Sequence, residues 1–134
     1  MFDVPTRKVI WKKLVNKWLF PSDFQQLNAD KALLTYDDGV YELSLKNGTM
    51  RKNTKIDGEA LTISPNGKKI AFIKTNQVFI ASPDGSNKKQ ILDLPPEWKE
   101  QTAYKGMGIR PPLWSADNDW LILFGENQML LVQA

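Results

Sequence analysis

Apolar residues in this chain come in runs of four or five, each bounded by turn-forming residues, and the clearest series lies in residues 59–92. Within it Ile70-Ala71-Phe72-Ile73 and Val78-Phe79-Ile80-Ala81 are β-branched and aromatic at successive positions. Such runs are expected of strands with both faces of their sheet covered, whereas a half-buried strand alternates. Ser64-Pro65-Asn66-Gly67 and Ser82-Pro83-Asp84-Gly85 flank them. Proline presets one backbone angle, and Asn-Gly or Asp-Gly tolerates the positive angles of tight hairpins. The stretch reads as four short strands joined by three tight turns, and covering both faces requires a further sheet on each side.

The sequence contains those further sheets as repeats. A shift of 38 positions back sets Ala32-Leu33-Leu34 against Ile70-Ala71-Phe72, Asn28 against Asn66, and Val40-Tyr41 against Val78-Phe79. A shift of 51 forward sets Leu121-Ile122-Leu123-Phe124 against residues 70–73, Ser115 against Ser64, and Asn127-Gln128-Met129 against Asn76-Gln77-Val78. The difference of 13 residues falls in an inserted loop between Asp93 and Arg110. Units of about 40 residues built from four short strands predict a β-propeller array.

The pattern SPNGKKIAFI…QVFIASPDGSNKKQIL resembles the PD40, or WD40-like, repeats of TolB-type propellers and of the propeller domains of prolyl oligopeptidase relatives. The likeness is densest in residues 59–92, looser in 113–132, where Ser115-Ala116-Asp117-Asn118 replaces the turn, and faint in 24–56. It implies a fold rather than a function, because these repeats serve many roles. The TolB kind is exported, so the resemblance implies a periplasmic location if a signal peptide was removed. The opening residues 1–20 lack an uninterrupted apolar core and a small-residue cleavage site, which reads as cytoplasmic or as already mature.

The expected organisation is one all-β domain over residues 1–134: a closing segment at 1–20, a first blade at 23–56, a second at 59–94, an inserted loop at 95–108 and a partial third blade at 109–134. Residues 6–20 read in two ways. Trp11, Leu14, Val15 and Trp18 fall at helical spacing opposite Lys12, Lys13 and Lys17, which would make a basic amphipathic helix. Lys8-Val9-Ile10-Trp11 equally reads as strand material, and the strand over residues 6–12 is the expectation carried forward.

The third blade stops after three strands. An incomplete blade exposes a row of unpaired backbone groups, and three blades fall below the four to eight that close a ring. The expectation is a six-bladed ring made by two copies, with Arg7, Val9, Ile10 and Trp11 of each opening strand completing the last blade of the other. The chain as a fragment of a longer propeller, or as a binder of another protein's blades, stands as the alternative.

Chemistry is limited by composition. With neither cysteine nor histidine among the 134 residues, disulfides, thiolates, imidazole bases and most zinc, copper or haem sites are excluded, and no cofactor is expected. Asp37-Asp38 and Glu97 with Glu100 are the only suggestive carboxylate groupings. Adjacent strand residues point to opposite faces, so no acid/base pair follows. Ser64, Ser82 and Ser115 sit in turns without a base to activate them. Asp37-Asp38-Gly39 and Asp117-Asn118-Asp119 lack the spaced carboxylates of a calcium loop. Gly106-Met107-Gly108 lacks the lysine and helix of a phosphate loop.

A net charge of +3 is small, and Arg51, Lys52, Lys55, Lys88 and Lys89 read as a solvated rim of fourth strands, so nucleic acid and membrane are not the expected partners. The best binding candidate is the inserted loop, where Trp98, Tyr104, Lys105 and Arg110 supply interface-type side chains. Packing of Trp98 over a blade edge competes with that role. The resulting expectation is a non-enzymatic interaction module that binds a protein through this loop or the channel mouth. The alternatives are a small inhibitor or immunity-type protein docking one enzyme, and a sugar or small-ligand binder in the channel.

Overall fold

The computed structural model describes residues 9, 12, 23–36, 38–96, 98, 111–125 and 128–134. It is all-β, with three antiparallel sheets. The first holds β1 (Asp23–Gln26), β2 (Lys31–Tyr36), β3 (Gly39–Ser44) and β4 (Met50–Asn53) in that spatial order. The second holds β5 (Glu59–Ile63), β6 (Ile70–Lys74), β7 (Gln77–Ala81) and β8 (Lys89–Asp93), again in sequence order. The third holds only β9 (Leu113–Trp114), β10 (Trp120–Phe124) and β11 (Met129–Gln133). Each is an up-and-down meander, as short turns between consecutive apolar runs dictate.

The sequence periods reappear as equivalent hydrogen bonds. Asn28 Oδ1 accepts from the Asp30 N–H at 2.8 Å, Asn66 Oδ1 from Lys68 N–H at 3.0 Å, and Asp117 Oδ1 from Asp119 N–H at 3.1 Å. In the second and third sheets the serine two positions earlier also donates its hydroxyl to that oxygen, Ser64 at 2.8 Å and Ser115 at 2.5 Å. The side chain of the third turn residue thus stands in for a backbone acceptor, which is why Asn or Asp recurs there. The turns are wider than the two-residue hairpins that Asn-Gly suggests: Ser64 N–H bonds the Lys69 carbonyl, and only Gly67, with φ of +71°, enters the left-handed region. Asn118 takes Gly67's place in the third sheet with φ of +66°, a conformation that asparagine tolerates better than most side chains.

The sheets pack face to face. Leu33 and Val40 of the first sheet meet Leu61, Ile70, Phe72 and Ala81 of the second, with Ile56 between them. On the second sheet's other face Ala71, Ile73 and Val78 meet Leu121 and Leu123 of the third. All four residues from Ile70 to Ile73 are therefore buried, and this middle strand serves two cores at once. Burying side chains of this size contributes about 1.5–3 kcal/mol each.

The first strands of the sheets lie side by side. Gln25 on β1 reaches β5, where its Oε1 accepts from the Ile63 N–H at 2.8 Å and its Nε2 donates to the Leu61 carbonyl. From the other side the Trp114 indole on β9 donates to the Thr62 carbonyl at 3.4 Å. The exposed backbone edge of β5 is thus satisfied by side chains of its neighbours. The turns leading out of β5 and β9 also touch, through Asn66 N–H donating to Asn118 Oδ1 at 3.0 Å.

Candidate interaction site: the open third sheet

Strand register settles which residues of the third sheet share a face. Leu121 stands opposite Trp114 and Val132, and these point toward the second sheet. Ile122 stands opposite Leu113 and Leu131, and Phe124 opposite Met129, so these five side chains and Trp120 share the outward face. Met129 is 70% exposed, Leu131 65% and Leu113 55%. The burial of β11 alternates along an almost wholly apolar Met-Leu-Leu-Val run, whereas β6 with a similar run is buried throughout. A composition made for two covered faces has one covered.

The edge of the same sheet is open. Among the described residues no strand pairs with the far side of β11, the place that β4 and β8 fill in the other two sheets. The opposite end of the stack is closed: Ala32, Leu34, Tyr36 and Leu43 on the first sheet's outward face form a buried cluster, completed by Tyr41, Leu45 and Met50. Tyr36 and Tyr41 meet edge to face there, with ring centroids 5.2 Å apart. Among the described residues, an uncovered apolar face is therefore a property of one end of the stack.

Trp98 lies inside. It is 5% exposed, packed with Ile73, Leu121 and Leu123, and its indole N–H donates to Gln128 Oε1 at 2.9 Å. A turn after Pro95, closed by the Trp98 N–H on the Pro95 carbonyl at 3.0 Å, carries it there. Its ring lies over Gly125, where an added Cβ would sit 2.7 Å from the indole. Of the two roles open to Trp98 from sequence, this geometry is that of packing across the second and third sheets. The other candidate anchors, Tyr104, Lys105 and Arg110, fall outside the described residues, as do Arg7, Ile10 and Trp11 of the expected assembly strand. Val9 is described, lies outside any strand and is 84% exposed; Lys12 is likewise exposed and outside a strand.

Several charged groups elsewhere are paired within turns, along strand ladders or between a loop and a strand. Asp57 accepts from Lys74 and, at 3.4 Å, from Lys88, and the Lys74 ammonium foremost holds its carboxyl below the ordinary 3.8. Asp84 and Asp117 are also lowered, chiefly by the hydroxyls of Ser86 and Ser115. Arg51 bonds Glu42 at 2.8 Å across the β3–β4 ladder. These are the bonds of turns and strand pairs. Among the described residues no group of three acidic side chains is placed to hold a metal ion.

The three-strand third sheet and its edge are legible in the sequence; which of its apolar residues face outward is not, because that requires the register. No family model matches the chain, and no curated protein is matched by it.

Proposed function

We propose that this protein is a non-catalytic interaction module of the β-propeller kind, and that it works as one half of a ring closed by a second copy. The observation that carries the reading is the third sheet's apolar outward face, which adjoins a backbone edge with no strand beside it among the described residues. Water in contact with both is costly: the face forgoes hydrophobic stabilisation, and the edge is a template for pairing that natural sheets cover.

The propeller arrangement is supported by the equivalent turns, by the two-sided burial of β6, and by the side-by-side first strands β1, β5 and β9, which would line a central channel. Two stacks of three sheets make six, within the range that closes a ring. Closure asks more of the first sheet than of the third. Its outward face is already buried in the lone chain and must exchange its present cover for the partner's third sheet. A completed ring would present the channel mouth and the 95–108 loop to a protein partner.

The test is the solution mass of the intact chain by light scattering at micromolar concentration. Two chain masses are expected, against 15.3 kDa for one. Met129→Lys with Leu131→Lys, at positions exposed in the lone chain, should leave the fold intact and halve that mass. A native chain already at a single mass and indifferent to the two lysines would overturn the reading.

A further inference from the structure

Between the first and second sheets lies a cleft of about 370 Å3, walled by the β1–β2 turn, by β2 and β3, and by the β7–β8 turn. That volume falls at the lower end of the range for small-ligand pockets, about 300–1,000 Å3. Its lining runs in sequence from Leu27 to Ser86, so neither end of the chain bounds it. The repeat singles out one lining residue. A shift of 38 equates Glu42 with Ile80, and Leu33, which stands opposite Glu42, with Ala71, which stands opposite Ile80. Between the second and third sheets Ile80 packs into the apolar core. Between the first and second the same position carries a carboxylate whose side chain is only 16% exposed.

Withdrawing a charge from water is costly unless bonds replace the lost hydration. Glu42 has one firm replacement, the Arg51 guanidinium on Oε2 at 2.8 Å. Its Oε1 has only the Asn53 amide at 3.4 Å, and that amide is committed to the Asp84 carbonyl at 2.8 Å. Oε1 therefore keeps acceptor capacity in a residue that lines the cleft. Lys31 supplies the opposite charge: it lines the same cleft, and its ammonium forms no ion pair with Glu42 or with any other acid among the described residues. An acid and a base bordering one cavity without pairing are the complement of a ligand that carries both charges. Leu27, Leu33 and Pro83 add apolar surface to the same walls.

The walls are fixed by their own bonds. Asn28 Oδ1 accepts the N–H groups of Asp30 and Lys31 at 2.8 and 2.9 Å, and Asp84 Oδ1 accepts the N–H and hydroxyl of Ser86 at 2.9 and 2.6 Å. Asn53 ties the end of β4 to the β7–β8 turn through the Asp84 carbonyl. A site arranged before its ligand arrives loses little ordering entropy on binding. We propose that this cleft binds a free α-amino acid with an aliphatic side chain, its ammonium on Glu42 Oε1, its carboxylate on the Lys31 ammonium and its hydrocarbon along Leu27, Leu33 and Pro83. A diamine or a metal ion would meet Lys31 as a like charge, and a phosphate would meet Glu42 and Asp84 in the same way. The binding is independent of whether the chain pairs with a second copy.

The test is titration of the intact chain with L-leucine, N-acetyl-L-leucine and L-leucinamide at millimolar concentration, followed through backbone amide shifts by NMR. L-leucine should give saturable shifts centred on the β1–β2 and β7–β8 turns. The two blocked forms should bind about tenfold more weakly or worse, since each has lost one charge-assisted bond. Glu42→Gln keeps the side-chain size and leaves without its partner only Arg51, which is 80% exposed. It should abolish the preference for L-leucine over the N-acetyl form while the preference over leucinamide persists. Lys31→Gln should do the reverse. This crossed pattern separates contact with the ligand from a general loosening of the cleft, which would weaken all three probes alike. Cooperative thermal unfolding certifies that each variant is folded. Absence of saturable shifts with L-leucine in the native chain, shifts centred on the third sheet instead, or affinities indifferent to both substitutions would overturn the proposal. Light scattering on the same samples reports assembly separately, so failure of the amino-acid site and failure of the ring are told apart.

Discussion

At the scale of single residues, the apolar cores between sheets are supplemented by polar side chains that finish another strand's backbone. Gln25 is the clearest case, because its one amide satisfies both an N–H and a carbonyl on β5. Gln25→Ala would leave both groups without these bonds at a partly buried boundary, and the expected cost is about 1–3 kcal/mol, read as a lowered urea midpoint with unchanged slope. Asp57 makes a different prediction. Its carboxyl titrates below the unfolded value, so its contribution is complete above about pH 5 and disappears as pH falls through the lowered folded value. Asp57→Asn should therefore be less stable than the native chain at pH 7, and by a smaller margin at pH 3. With the Asp57 side chain 39% exposed, the difference is held to about 0–1 kcal/mol and shrinks further with added salt. Urea titrations of both proteins at the two pH values check the sign.

At the scale of elements, the turns between strands were the best-written part of the sequence, and also the part where residue type alone misleads. Asn66-Gly67 reads as a two-residue hairpin but serves a wider loop, in which the asparagine contributes its side chain and the glycine its positive φ. Conversely Thr75 and Asn76, with φ of +48° and +60°, form the two-residue loop between β6 and β7 without any glycine. Packing against both neighbouring sheets holds that strand pair and overrides the preference of Thr75 for negative φ. The segment after Pro95 behaves as an element of the core through Trp98. Trp98→Ala should cost about 3–5 kcal/mol, as other large core truncations do. Gly125→Ala should cost about 1–3 kcal/mol by driving a methyl group into the indole. Thermal unfolding of both variants should show a lowered midpoint, lower still in Trp98→Ala, and the intrinsic tryptophan fluorescence of folded Gly125→Ala should shift to the red, since the Trp98 indole is displaced from its buried site.

At the scale of the whole molecule, the described residues cover the apolar face at one end of the stack and leave the other exposed, and the proposed assembly belongs to that asymmetry. The strand runs, their grouping in fours, the repeat periods and the shortfall of one strand in the third sheet could all be read from residue order. They depend on local causes: turn chemistry, β-branched content and the covering that continuous apolar runs require. The role of Trp98 and the clamp made by Gln25 could not. Each depends on which sheet face a side chain occupies and on what a strand distant in sequence presents to it. The same holds for the end of the stack that stays open. Leu33, Leu34, Leu121 and Ile122 are interchangeable in composition, and only register assigns one to a core and its neighbour to the far side of the sheet. Pattern determines that a strand forms and how many faces it needs covered; three-dimensional packing alone decides which face already has its cover, because a strand's two faces differ by a single residue of phase.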